Sequence, residues 1–140
     1  MEYRFRGWDA TGQKGWVYGD LTHSKRILQE EPYLEDRVMV GGYEVVPESV
    51  GLWSFIKDKD GKEIYEGDIV ECVSWNEFFS NDGKTMEAFR RKMYVSFRKG
   101  AFVMVEPMPE PMKDNEWPII YNGDIIIIGN LYENKQLLEK

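Results

Sequence analysis

At 140 residues the chain has the length of one ordinary domain, enough to bury a core without disulfide staples. A hydrophobic content of 42%, 14% aromatics and 31% charged residues exclude a disordered tail, and a net charge of −7 disfavours nonspecific binding to a polyphosphate backbone. The longest strongly apolar stretch, IIIIG at 125–129, is far short of the roughly 18 residues that span a bilayer.

The N-terminal FRGWD and its surroundings alternate, with Tyr3 and Phe5 on one face and Arg4 and Arg6 on the other, which predicts a half-buried strand. DATGQKG then reads as a turn and WVYGDL at 16–21 as the antiparallel partner. The start lacks the charged-then-apolar pattern of a secretory signal, so the expected location is the cytoplasm, with no membrane partner. Residues 22–36 fit a short helix or an irregular strand, and Pro32 prevents a long helix. Within them His23, the only histidine, reads as a surface residue in a polar turn. RVMV at 37–40 and YEVV at 43–46 flank Gly41-Gly42, a pair suited to a tight hairpin turn.

LWSFIKDK at 52–59 and KEIYEGDIVECVSW at 62–75 flank Asp60-Gly61, which predicts another two-residue hairpin turn. DKDGK is not a calcium loop, because a ligand set counted from Asp58 meets Gly61 at its fourth position and Lys62 at its fifth. Glu66-Gly67-Asp68 predicts a second structural turn, with Gly67 in a conformation other residues resist, ahead of the strand Asp68–Trp75. Cys72 cannot form an internal disulfide and reads as a small buried hydrophobe. Residues 76–88 form a polar, turn-rich excursion, a binding loop or a flap over the core, with exposed aromatics at Phe78 and Phe79.

RKMYVSF at 91–97 and AFVMVEP at 101–107 predict a further hairpin, followed by an extended connector in the proline-rich PMPEPMKDNEWP. DIIIIG at 124–129 predicts a strand buried on both faces, and Asn134 the cap of a last short helix, NKQLLEK. With no internal repeat, the fold expected is mainly β: one or two small antiparallel barrel-like units built from hairpins, with one or two short helices. The alternative is α+β. The domain boundaries expected are one domain over 1–140 with β sub-structures at 1–50 and 51–140.

For chemistry, one histidine and one cysteine are too few for a hydrolytic triad or a zinc site, and no phosphate-binding glycine motif occurs. Carboxylates remain: Asp58, Glu63, Glu66 and Asp68 are candidate ligands for a divalent metal in phosphoester cleavage, against their reading as ordinary turn residues. Arg90, Arg91 and Lys92, with Phe89 and Tyr94 as stacking groups, are a weaker nucleic-acid candidate beside Arg98 and Lys99 on a solvated hairpin surface. The acidic surface is also consistent with mimicry of DNA toward a host protein. Trp8, Trp16, Trp53, Trp75 and Trp117 suit either a small β core or interface anchors, and open strand edges suit pairing between subunits.

The stretches FRGWD, WVYGDL, SVGLWSFIKDKDGKEIYEGDIV, GAFV and IIGNLYENKQLL, in this order along almost the whole chain, resemble the YopX family of phage and prophage proteins. The resemblance implies a protein of bacteriophages, prophages and related mobile elements, cytoplasmic in the bacterial host, with no established activity and hence no catalytic residues or cofactor to carry over. The function expected is a non-enzymatic protein-binding or assembly module, homo-oligomeric or bound to a host or phage protein.

Overall fold

A computed structural model of the chain describes residues 2–31, 33–81, 83–119 and 124–139, with residues 74–80 and 89 described by their backbone alone. Pro32 and the side chains of Trp75, Phe78, Phe79 and Phe89, on which expectations above rest, lie outside what is described. The fold is mainly β, with every described strand pair antiparallel and short 3-10 turns as the described helical elements. Its sheets are open rather than closed into a barrel among the described residues. Two compact units divide the chain, Met1–Trp53 and Ser54–Lys140.

In the first unit, β1 (Phe5–Trp8) pairs with β2 (Trp16–Gly19) from Phe5↔Gly19 to Trp8↔Trp16. Asp9 shapes the loop between them: its carboxylate accepts the Thr11 hydroxyl at 2.8 Å and the backbone N–H groups of Thr11 and Lys14 at 3.2 and 3.1 Å. The Thr11 hydroxyl, ahead of those two amides and the Lys14 charge, holds the Asp9 carboxyl below the usual carboxylate range, against a smaller opposing effect of burial. A lowered folded pKa means that the loop keeps its full stabilisation above the ordinary value of about 3.9 and loses it as pH falls through the folded value. In a chemical-shift titration the Thr11 and Lys14 amides are expected to move with a midpoint below that value, and Asp9→Asn to abolish the transition.

The stretch 22–36 is neither helix nor irregular strand. β3 (Leu21–Ile27) and β4 (Leu34–Val40) form a regular hairpin whose register runs unbroken from Leu21↔Val40 to Ile27↔Leu34. His23 is thus an exposed strand residue opposite Val38. β4 turns through Gly41 and Gly42 (φ 59° and 87°) into β5 (Tyr43–Glu44), the pair of left-handed residues that a two-residue turn requires. A Cβ on Gly41 would stand 2.4 Å from the Tyr18 carbonyl oxygen, so the turn sits against β2 with no room for a side chain. Val17, Val40 and Val45 form the core of this unit.

β6 (Gly51–Lys57) starts beside β1 and is kinked at Phe55 (φ 68°), where the Ser54 hydroxyl accepts the Ile56 N–H. In the second unit β7 (Glu63–Tyr65) neighbours β6. A five-stranded sheet follows in the order β11-β10-β9-β8-β12, from β8 (Asp68–Ser80), β9 (Gly83–Arg98), β10 (Ala101–Glu106), β11 (Asn115–Pro118) and β12 (Ile125–Asn130). One face carries the core, Val70, Cys72, Met93, Val95, Met104 and Ile125, joined by Ile64 and Ile119. The β9–β10 turn is again two residues, Lys99 and Gly100, both at positive φ.

Four expectations are corrected here. The excursion at 76–88 is not a loop, since β8 and β9 stay paired from Ile69↔Tyr94 to Ser80↔Gly83 and extend as one long hairpin. The proline-rich connector ends in a true strand, β11, paired with β10 as far as Val103↔Pro118. Proline is tolerated there because β11 is an edge strand. β12 is likewise an edge strand, with Ile126, Ile127 and Ile128 only half-buried rather than enclosed on both faces. After it, Lys135–Leu138 form a single 3-10 turn, and the Asn134 carbonyl Oδ1 accepts the Asn130 N–H instead of capping a helix.

Candidate functional site

The acidic stretch 58–68 is built from two turns. Asp58 closes the first: its backbone N–H donates to the Lys62 carbonyl at 2.7 Å, its own carbonyl accepts the Gly61 N–H at 3.0 Å, and Gly61 has φ 85°. The turn is therefore a three-residue loop over 59–61 with glycine at its left-handed position, not a two-residue turn on Asp60-Gly61. The Asp58 carboxylate is buried at 7% exposure and accepts three backbone N–H groups, from Asp60 at 2.9 Å, Lys62 at 2.8 Å and Ile127 at 3.1 Å. The Lys59 N–H adds a bond to the Ile125 carbonyl at 2.8 Å. The loop thus covers the outer edge of β12.

Glu66-Gly67-Asp68 form the second turn. Gly67 has φ 93°, donates to the Val95 carbonyl at 2.8 Å and accepts the Leu131 N–H at 2.7 Å, so one residue ties the turn to β9 and to the chain beyond β12. Asp68, 1% exposed, accepts the Tyr65 N–H at 2.7 Å. Because the backbone reverses at Gly67, Glu66 and Asp68 do not share a strand face. Glu63 sits on β7, where its carboxylate accepts the Tyr65 hydroxyl at 3.4 Å. Among the described residues no three His, Cys, Asp or Glu side chains form a group able to hold a metal ion.

The basic cluster is distributed over both faces of β9 and matched by acids. Arg90 pairs with Glu71 at 2.9 Å, Arg91 with the buried Glu106 at 2.9 Å, and Arg98 with Glu116 and the Tyr94 hydroxyl. Asn115 donates a further hydrogen bond to Glu106 at 3.0 Å, and the Arg91 guanidinium lies 5.4 Å from the Trp117 ring centre. Three of the five cations flagged by the sequence are thus committed to internal ion pairs, a poor arrangement for gripping phosphates. Open grooves of about 340 and 370 Å³ flank the 3-10 turn at 135–138, the first bordered by Arg90, Lys92 and Leu137, the second by Tyr94, Leu131 and Lys135.

Cys72 is 2% exposed within the core, and burial pushes its thiol up, against the Arg91 guanidinium. A protonated, enclosed thiol is inert. Labelling with a thiol reagent at pH 8 is expected to be slow in the folded chain and to reach one equivalent per chain on adding denaturant, and fast labelling without denaturant would contradict this burial.

What the sequence reading missed is the ribbon. β12 pairs with β8 only from Asp68 to Cys72, and β10 pairs with β9 only from Tyr94 to Arg98. Beyond those limits, residues 73–80 and 83–90 form a two-stranded ribbon with no further described strand on either side. Residues 83–88 are all exposed, Met86 at 47%. A usable signal was present, since NDG at 81–83 lies between two stretches rich in strand-forming residues.

No helix in the described residues is long and apolar enough to cross a membrane. No curated protein matches the sequence. The crystal structure of protein EF1440 from Enterococcus faecalis is similar in fold, with 21% identity, 99% of each chain covered and a TM-score of 0.52. The family model described as "YopX protein" matches residues 4–139, and the chain belongs to the YopX family.

Proposed function

We propose that this YopX-family chain is a non-enzymatic protein-binding module of a phage or prophage, working in the cytoplasm of a bacterial host through contacts made by the β8–β9 ribbon. The observation that carries this reading is the ribbon itself. A two-stranded hairpin is marginally stable alone in water, and among the described residues no further strand flanks it on either side, which suits it to pairing with a partner. Elsewhere in the sheet the edges are managed: the Asp58 loop covers β12, and β11 is short and ends in proline. The non-enzymatic part of the reading is supported by Asp58 and Asp68, whose carboxylates are engaged by backbone N–H groups rather than gathered round an open site. The bacterial setting agrees with the source of the similar fold.

The test is an affinity pull-down from bacterial lysate at low and high salt with two baits, the full chain and a variant in which residues 74–89 are replaced by Asn-Gly. A specific protein held by the full chain at high salt and lost by the shortened one is the expected result. Identical capture by both baits would overturn the role of the ribbon. Capture that vanishes at high salt would favour a charge-driven mimic of DNA instead.

A further inference from the structure

Resting on the reading of the ribbon as the binding element, we infer that its partner is a second copy of this chain, joined through the outer edge of β8. The two edges of the ribbon differ in a way that selects one of them. Along β9, residues 83–90 carry three charged residues in eight, Lys84, Glu87 and Arg90, a composition that disfavours edge-to-edge pairing. Along β8, residues 73–80 read VSWNEFFS, with one charge in eight, no proline and strong strand formers. The backbone of this stretch is extended throughout, and β12 pairs no further than Cys72, so that among the described residues no strand lies along the outer side of these eight residues, roughly 25 Å.

An edge of this kind pairs with its own copy about a two-fold axis, which makes the strands antiparallel and the interface isologous. Residues directly opposite in an antiparallel ladder share a face of the sheet, and a two-fold axis normal to the sheet preserves faces. The numbers of opposed residues must then sum to an even value, so the axis falls on a residue and not between two. Centred on Glu77, seven residues pair, but two carboxylates stand directly opposite, which is destabilising. Centred on Phe78, only five residues fit between 73 and 80. Centred on Asn76, seven residues pair, 73–79, and Glu77 of each copy faces Trp75 of the other. The register with its axis at Asn76 is therefore the one the edge selects. It joins two ribbons into a continuous four-stranded sheet in the order β9-β8-β8-β9 and leaves only the charged β9 edges outermost.

Light scattering of the full chain over a wide concentration range tests the pairing, together with four variants. The expected result is a mass rising to twice the 16.5 kDa of one chain. Replacing 74–89 by Asn-Gly is expected to hold the mass at one chain, and Asn76→Lys, which sets two like charges on the axis, to weaken association at least tenfold. In a Cys72→Ala background, Asn76→Cys is expected to crosslink to a dimer on mild oxidation while Glu77→Cys does not, because only position 76 meets itself across the ladder. If the shortened chain fails to fold, the lysine variant and the crosslinking pattern decide. A single-chain mass at every concentration, a dimer that survives ribbon shortening, or crosslinking at 77 instead of 76 would overturn the proposal. A monomer that still captures a host protein through the ribbon would overturn self-pairing and leave the binding reading standing. If shortening changes neither mass nor capture, both readings fall.

Discussion

Asp58→Ala is expected to destabilise the second unit by about 3 kcal/mol, since it removes the acceptor for three backbone N–H groups at once and each unsatisfied buried donor costs about 1–3 kcal/mol. The cost is less than three full bonds because Asp60 and Lys62 lie in an exposed turn, where water replaces part of what is lost. The Ile127 N–H, on the strand edge beneath the loop, has the largest stake. Asp58→Asn separates the contributions: its single carbonyl oxygen can still serve Asp60 and Lys62, while its NH2 faces the Ile127 N–H, so about 1–2 kcal/mol is expected. A thermal melt of the full chain checks both, at about 4–8 °C per kcal/mol for a unit of this size. A melt that is unchanged by Asp58→Ala in metal-free buffer would contradict a structural role for this carboxylate.

Asp68→Ala is expected to cost about as much, roughly 2–4 kcal/mol, for a different reason. Here a strong bond is lost in a buried place: the acceptor is 1% exposed, the Tyr65 N–H lies 2.7 Å away, and Tyr65 is itself 2% exposed, so the amide loses its acceptor away from solvent. The damage is expected to spread, because the same turn presents Gly67 to Val95 and Leu131. Amide exchange of Tyr65, Gly67 and Leu131 is expected to rise together in the variant, and a rise confined to Tyr65 would show that the turn holds its shape without the carboxylate.

The hairpins were legible in the sequence because alternation and turn chemistry are local. Phe5 to Trp16 and Gly41-Gly42 both lie where period-two runs meet glycines that accept positive φ. The misreadings occur where the decisive partner is remote. Asp58 reads as a turn residue or a metal ligand, yet its third bond goes to Ile127, 69 positions away. Pro118 reads as a connector because its strand character depends on an edge position beside Val103. The isoleucine run at 125–128 reads as fully enclosed, since nothing in its composition reveals that it ends a sheet. At 22–36 the pairing of Leu21 through Ile27 with Leu34 through Val40 overrides weak local preference.

Misjudging residues 76–88 had the greatest consequence for function. Polar residues and two aromatics suggested an irregular flap, whereas the backbone continues the strands on either side to the Ser80–Gly83 pair. The pattern is less clear there because residues 83–88 are all exposed, so that no buried face imposes alternation on that strand. A low charge along one strand and a higher charge along the other give the ribbon its proposed role.

Hydrogen exchange of the ribbon amides, followed residue by residue at low and high protein concentration, tests that role most directly. Protection that grows with concentration along 73–79 of β8, strongest around Asn76, is the result predicted, with the amides of 84–88 unchanged. Exchange along 73–79 that is equally fast at every concentration, while the five-stranded sheet stays protected, would contradict it.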